Sequence, residues 1–332
     1  MQRTRRRRFI LAAAALAAAP LARAQKPGEK RTLGILSPHP RATAQQNAPF
    51  NARFKHLGWE IGKNLLIERP EDSAAEAALA GMAQVLVRKR VDAIWAIGPE
   101  AGVAAARATR TIPIVFWGVP YPVEQGLIES FARPGRNVTG VAFWAGVELV
   151  TKVLEIFRQI APQATRIAAL FTPSAAGTVD GGRFQAPLVD AAAESLGFDY
   201  RTYGVFNAED IDAALLDAVN KGAQGIAAYG TTTTWRQRHR IAEFANRHRL
   251  VSGSTQERFA EAGCLFAYGP STLNTLLQTL VYVDKVLRGA KPAELPVELP
   301  ERYELALNLS TARLLQLAIP QSVLLRADKV IS

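Results

Sequence analysis

The sequence predicts an α/β fold of two similar lobes, each a parallel sheet covered by helices on both faces. Three observations predict it. Beyond residue 30, apolar runs of strand length alternate with stretches of helical period. The alternation restarts at Val147, as a second domain would require. About 308 residues remain after an N-terminal leader, more than one hydrophobic core usually serves.

Residues 1–24 read as an export signal: Arg5 to Arg8 form a basic head, Phe9 to Leu21 an apolar stretch, and Ala22-Arg23-Ala24 a small-residue cleavage site before Gln25. The apolar run falls short of the roughly 20 residues of a membrane span, and no stop-transfer segment follows it. Thr4, the arginine run, Phe9 and Ile10 resemble a twin-arginine signal, which exports a chain already folded. An amphipathic anchor that stays attached is the alternative. The leader holds six arginines and no acid, so its removal takes the formal charge from +11 to +5. No basic stripe with interleaved aromatics remains, which argues against a nucleic-acid partner. Cys264 is the sole cysteine, so no intramolecular disulfide is expected, and it lies too far from the leader to carry a lipid at the cleavage point. A free, soluble, monomeric protein of the periplasm is the expectation.

The first lobe opens with a strand at Thr32 to Ser37, a helix at Phe50 to Gly58 and a strand at Leu65 to Glu68. The spacing of Leu79, Met82, Ala83, Leu86 and Val87 predicts a helix over Ala74 to Arg90. Strand Val91 to Ile97, helix Ala101 to Ala108, strand Ile112 to Trp117, a short helix around Glu124 to Phe131 and strand Val138 to Phe143 follow. The second series begins with helix Val147 to Ile160, which aligns Val150, Val153, Leu154, Phe157 and Ile160 on one face. It continues through strand Arg166 to Phe171, helix Phe184 to Leu196, strand Tyr200 to Val205 and helix Ala208 to Lys221. Strand Gly225 to Tyr229, helix Thr234 to Arg249 and strand Leu250 to Ser252 complete it. Strand Cys264 to Tyr268, a long helix from Ser271 to Arg288, the Pro-rich stretch Lys291 to Pro300 and a short strand-helix tail remain. The expected division is 31–142 with 253–292 in one lobe and 143–252 with 293–332 in the other, the last third of the chain passing back and forth.

Enzyme signatures are absent. No G-x-G-x-x-G follows the first strand, and no G-x-x-x-x-G-K-[ST] or G-x-S-x-G occurs. No cofactor, metal or catalytic group is expected. His239 and His248 stand nine apart on one basic helix, a spacing that does not bring both to one metal. The run Arg236, Arg238, His239, Arg240, Arg247 and Arg249 reads as the wet face of that helix, with anion contact as the minority reading.

In open parallel sheets small molecules bind outside the carboxyl ends of the strands. The loops there are rich in hydroxyls, turn residues and aromatics: Ser37-Pro38-His39, Gly98-Pro99-Glu100, Trp117-Gly118-Val119-Pro120-Tyr121, Thr172-Pro173-Ser174 and Gly230-Thr231-Thr232-Thr233. Trp144 adds an aromatic after the strand at Val138. Several of these loops open helices, whose free N–H groups and dipole favour an anion. Each residue also has a plain structural reading. Ser and Thr cap helices, Trp fills cores, and Glu100 complements a helix dipole.

Longer segments carry a resemblance. They are ELVTKVLEIFRQIAPQATRIAALFTP, the turn RPGRNVTGVAF at Arg133 to Phe143, IPIVFWG at Ile112 to Gly118, AGCLFAYGPS at Ala262 to Ser271, and VLRGAKPAELPVELPERYELALNLSTARLLQLAIPQSVLLRADKVI. Together they resemble the periplasmic substrate-binding proteins of ABC transporters of the tryptophan/tyrosine-binding type. The resemblance implies two Rossmann-like lobes, a hinge of three crossings, and a solute held by strand-end loops of both. It assigns Ser37, Gly98, Pro99 and the Trp117 to Tyr121 loop to one wall, and Thr172, Ser174, Thr231 and Thr232 to the other. Ser254, Gln256 and Tyr268 fall near the hinge. Relatives commonly read D-P-V where this chain has Tyr121-Pro122-Val123, which removes an acid that would face a ligand amine. An aromatic or carboxylated solute stays compatible with Trp117, Tyr121 and Trp144. The function implied is a receptor that delivers its solute to an inner-membrane permease. A hydrolase or lyase with His39 or Glu100 as base, and a ligand-sensing subunit, are the alternatives.

Overall fold

The computed structural model describes residues 30–70, 78–143, 147–172 and 186–332. The leader, Trp144 and Ser174 lie outside the described residues. The first series runs β1 (Arg31–Leu36), α1 (Ala44–His56), β2 (Leu65–Glu68), α2 (Leu79–Arg88), β3 (Ala93–Ile97), α3 (Pro99–Ala108), β4 (Ile114–Val119) and β5 (Val138–Ala142). These strands form a parallel sheet in the order β2-β1-β3-β4-β5. Every residue of β4 and β5 is buried, as continuous apolar strands between two helical layers must be. Helix α2 buries Leu79, Met82, Ala83 and Leu86, one stripe of helical period, against one face. The short helix expected around Glu124 to Phe131 is instead a series of turns.

The second series runs α4 (Val147–Ile160), β6 (Arg166–Phe171), α5 (Ala186–Ser195), β7 (Asp199–Gly204), α6 (Ala208–Asn220), β8 (Gly225–Ala228), α7 (Thr232–Arg236), α8 (Arg238–Arg247), β9 (Val251–Ser254), α9 (Glu257–Glu261) and β10 (Phe266–Pro270). Then come α10 (Thr272–Leu287), β11 (Tyr303–Asn308), α11 (Leu309–Leu314), α12 (Gln321–Leu324) and β12 (Lys329–Ile331). The second sheet has the order β12-β11-β10-β9-β8-β6-β7, and only the β10–β11 pair is antiparallel. The helix expected over 234–249 is two helices that meet at Gln237.

The expected division of the C-terminal third needs correction. Strands β9 and β10 belong to the second sheet, so residues 253–270 do not join the first lobe. The chain crosses at Ser271, and α10 packs Leu280, Tyr282, Val283, Val286 and Leu287 onto the first sheet beside Phe54, Trp59 and Trp95. The Pro-rich stretch stays with that sheet. Thr139 Oγ1 donates to the Leu295 carbonyl at 2.8 Å, and the Ala142 N–H donates to the Glu298 carbonyl at 2.9 Å, so the stretch covers the free edge of β5. The return crossing therefore falls between Glu298 and Tyr303. Strand-helix alternation announces a strand but does not say which of two sheets receives it.

Cys264, expected to open a strand, lies two residues before β10 and is fully buried. Burial pushes its thiol up to about 12, with a hydrogen bond to Ser252 acting the other way. Among the described residues, no helix is long and apolar enough to cross a membrane.

Candidate functional site: the interlobe cleft

The first wall is built from the ends of β1, β3 and β4. After β1, the Ser37 hydroxyl accepts the His39 N–H at 3.2 Å and turns the chain. After β3, Gly98 adopts φ +104°, a conformation that side-chain-bearing residues rarely hold. Pro99 then starts α3 at the position where its missing N–H costs nothing. Glu100 follows, buried at 7 % exposure. Gly98 N–H donates to the Trp117 carbonyl at 3.0 Å, which ties the β3 loop to β4.

Trp117 is not in a loop. Strand β4 continues through Gly118 to Val119, with a register shift against β5 between Trp117 and Val119. The indole is buried, its Nε1–H donates to Thr275 Oγ1 of α10 at 3.0 Å, and its ring meets Phe143 edge-on at 4.7 Å. Its surroundings are those of a core side chain. Gly118 reads as a turn residue in the sequence and here holds φ +83° inside the strand. Tyr121 lies beyond the strand at φ +49°. Its phenol is pushed up to about 12 by burial, with the Glu124 and Glu148 carboxylates adding to the effect.

The second wall is tied to itself. Thr172 Oγ1 and Thr231 Oγ1 share a hydrogen bond of 2.6 Å between the ends of β6 and β8. Thr231 caps α7 in a box with Thr234. Ser254 Oγ donates to the Ala228 carbonyl at 2.7 Å and accepts the Gln256 N–H at 3.3 Å. Gln256 Nε2 donates to the Gly230 carbonyl at 3.1 Å. Tyr268 stacks on Tyr303 across the antiparallel pair, with centroids 6.0 Å apart.

Among the described residues, three contacts then join the walls. Thr232 Oγ1 donates to Glu100 Oε2 at 2.9 Å. Four residues on, Arg236 donates to the Pro38 carbonyl. Between them Trp235 packs its ring against the His39 imidazole, centroids 4.7 Å apart. Thr232, Trp235 and Arg236 share one side of α7, because residues three and four apart are neighbours on a helix. Arg69, just past β2, donates to the His39 carbonyl at 2.5 Å, and Arg238 lies over the Trp235 ring at 4.4 Å. His39 Nδ1 is buried without a hydrogen-bond partner. Burial first, then Arg236, Arg69 and Arg238, bring the imidazole down to about 4, so it is neutral near pH 7.

This two-walled arrangement is shared with known proteins. The family described as ABC transporter substrate binding protein matches residues 39–331. The chain belongs to that family. A Tyrosine-binding protein of Clostridioides difficile (strain R20291) is 22% identical over 291 residues, covering 87% of this chain and 82% of the relative. A crystal structure of an ABC domain in complex with L-Trp from Streptococcus pneumonia has a TM-score of 0.79 at 21% identity, covering 91% of this chain and 100% of the other. A conserved domain protein from Vibrio cholerae has a TM-score of 0.80 at 25% identity, covering 91% and 99%.

In this substrate-binding protein, Glu100 meets Thr232 and His39 meets Trp235 across the cleft, Ser37, Gly98 and Pro99 shape the loops of the first wall, and Thr172 and Thr231 bond to each other on the second. Trp117 and Gly118 stand in a strand, and Ser254 and Gln256 fasten loops of the second lobe. The sequence reading assigned Arg236 to a solvated face and did not place Trp235 in the cleft. Their signal was position: both fall within one turn of Thr232, on the helix that opens directly after β8.

Proposed function

We propose that this substrate-binding protein receives a small organic solute in the interlobe cleft and passes it to an inner-membrane ABC permease without chemical change. The observation that carries the reading is the set of cross-lobe contacts, Thr232 to Glu100, Arg236 to Pro38 and Trp235 on His39, at the carboxyl ends of parallel strands. That edge is where open α/β sheets take small ligands, and closure over it reports occupancy. A relative named for tyrosine and a fold neighbour solved with L-Trp favour an amino-acid-like solute with an aromatic ring. The reading is non-catalytic: the two bases that hydrolysis would require, His39 and Glu100, are engaged in holding the lobes together. The leader directs the protein to the periplasm, where it works as a monomer with no nucleic-acid partner.

A thermal-shift screen of L-amino acids, aromatic acids and other carboxylates on the mature chain tests this. A true ligand at 100 times its Kd adds about 2.7 kcal/mol of stability. Calorimetry on the best solute should give one site per chain, with the solute recovered intact. A solute consumed on standing with the protein overturns the receptor reading in favour of an enzyme.

A further inference from the structure

The arginines that the second lobe carries beyond β8 are of two kinds. Arg240 and Arg247 of α8 are exposed and pair with Asp212 and Glu243. Arg238, the first residue of α8, and Arg258, the second of α9, are half-buried, and among the described residues neither has a carboxylate in ion-pair contact. Helix α8 packs on α9, with Ile241, Ala242 and Phe259 in one buried cluster, so the two helices bring these arginines to the edge where β8 and β9 end. Burial first, then the charge of Arg258, hold Arg238 below the ordinary guanidinium range, and Glu261 acts the other way. Glu261 itself is bonded to Lys329 at 2.5 Å, and Glu257, half-buried, stands outside ion-pair contact with either arginine.

Arg238 is held as a binding group is held. Its Nη1–H donates to the Trp235 carbonyl at 2.9 Å, and the guanidinium lies over the Trp235 ring at 4.4 Å. The indole fixes the plane of the guanidinium and one of five N–H groups is spent, so a stiffened fork presents the others. Two guanidinium groups partly withdrawn from water repel each other. An oxyanion placed between them relieves that repulsion and takes charge-assisted bonds from both. The same Trp235 ring meets His39 of the first lobe at 4.7 Å, so whatever fixes Arg238 also fixes a ring on which the lobes close.

We propose that Arg238 and Arg258 form an oxyanion site on the second lobe, taking a carboxylate or phosphate group, and that Trp235 couples its occupation to closure. The site goes beyond the receptor reading, and its coupling to a solute rests on that reading. The oxyanion is either a free ion or an acid group borne by the solute, and both present the same oxygens to the same two forks. A free ion that favours the closed form tightens solute binding by the factor by which the solute tightens its own.

Calorimetry on the full mature chain tests the site, with inorganic phosphate as the probe at constant ionic strength. One phosphate should bind per chain. Arg258→Gln and Arg238→Gln should each weaken it by roughly 10- to 100-fold, the value of a charge-assisted hydrogen bond. Arg258→Gln leaves the stack on Trp235 in place and decides the matter should Arg238→Gln fail to fold. Arg240→Gln removes a paired, exposed charge from the same helix and should leave phosphate affinity within about twofold. The best solute of the screen above is then titrated with and without saturating phosphate. Tightening by phosphate that is lost in Arg258→Gln identifies a free ion. Competition by phosphate, with solute affinity weakened in Arg258→Gln, identifies an acid group of the solute. Phosphate affinity unchanged in both variants, or weakened as much by Arg240→Gln, overturns the site. Phosphate held by the pair without effect on solute affinity overturns the coupling. A wild type that takes no phosphate, and whose solute affinity is unchanged in Arg258→Gln, overturns the site and leaves the receptor reading standing. A screen that yields no solute overturns the receptor reading, and phosphate affinity still decides the site.

Discussion

The two walls of the cleft carry similar polar residues and use them differently. On the second wall, Thr172, Thr231, Ser254 and Gln256 bond to their own lobe, and the α7 side bearing Thr232, Trp235 and Arg236 reaches out. On the first wall, Ser37 and Gln125 fasten their own loops, while Pro38, His39 and Glu100 meet the opposite lobe. A hydroxyl after a strand is thus first a fastener of its loop. The groups that span the cleft are the ring of a histidine, a carboxylate, an indole, a guanidinium and the Thr232 hydroxyl.

The largest effect should come from a residue that this contrast removes from the cleft. Trp117→Ala empties a buried indole site and strands the Thr275 hydroxyl, so it should cost about 3–5 kcal/mol of stability, read by thermal or denaturant unfolding. A loss below about 1 kcal/mol, with weakened solute binding, would return Trp117 to the cleft wall.

Acid should act next, through His39. Its pKa falls from 6.5 to about 4 on folding, so the folded form binds its proton less readily than the unfolded one. The stability this contributes is whole above pH 6.5 and is lost as pH falls through 4. The span corresponds to about 3–4 kcal/mol. Part of the burial comes from Trp235 of the other lobe, so solute affinity should weaken over the same range. His39→Gln should flatten both profiles, and unchanged profiles would remove His39 from the closing contacts.

Arg236→Ala deletes one charge-assisted bond made only between the lobes, worth about 1.5 kcal/mol. Roughly tenfold weaker solute binding is expected, with little change in the melting of either lobe. Ser254→Ala should do the opposite, costing about 1 kcal/mol of stability and leaving solute selectivity unchanged. At the small end, Cys264 should resist thiol reagents in the native state, since it is buried and its thiol is pushed up to about 12. Rapid labelling would show that the second lobe opens around it.

Much of this was legible in the chain. Continuous apolar strands and the stripe Leu79, Met82, Ala83 and Leu86 specify a parallel α/β frame, because period and burial are set by neighbours in sequence. The loops bearing His39, Glu100 and Thr232 were legible for a related reason, since strand direction alone puts them on one edge. Three things were not. Gly118 reads as a turn, yet its φ of +83° is absorbed within β4, which moves Trp117 into the core. Arg236 belongs by composition to a solvated helix, and only the approach of the other lobe makes it a contact across the cleft. The sheet that receives β10 depends on pairing with β9 and β11, partners distant in sequence.

That last pairing has a mechanical side. Where the chain leaves β10 and where it returns into β11, Pro270 lies opposite Tyr303, and the Ser271 N–H donates to the Arg302 carbonyl at 3.2 Å. Two of the connections between the lobes are therefore stitched into a single ribbon at the boundary. A two-stranded ribbon flexes readily out of its plane but resists one strand sliding along the other, because sliding breaks its ladder of hydrogen bonds. The lobes are left with a swing and little shear. Each swing returns Thr232 to the same carboxylate.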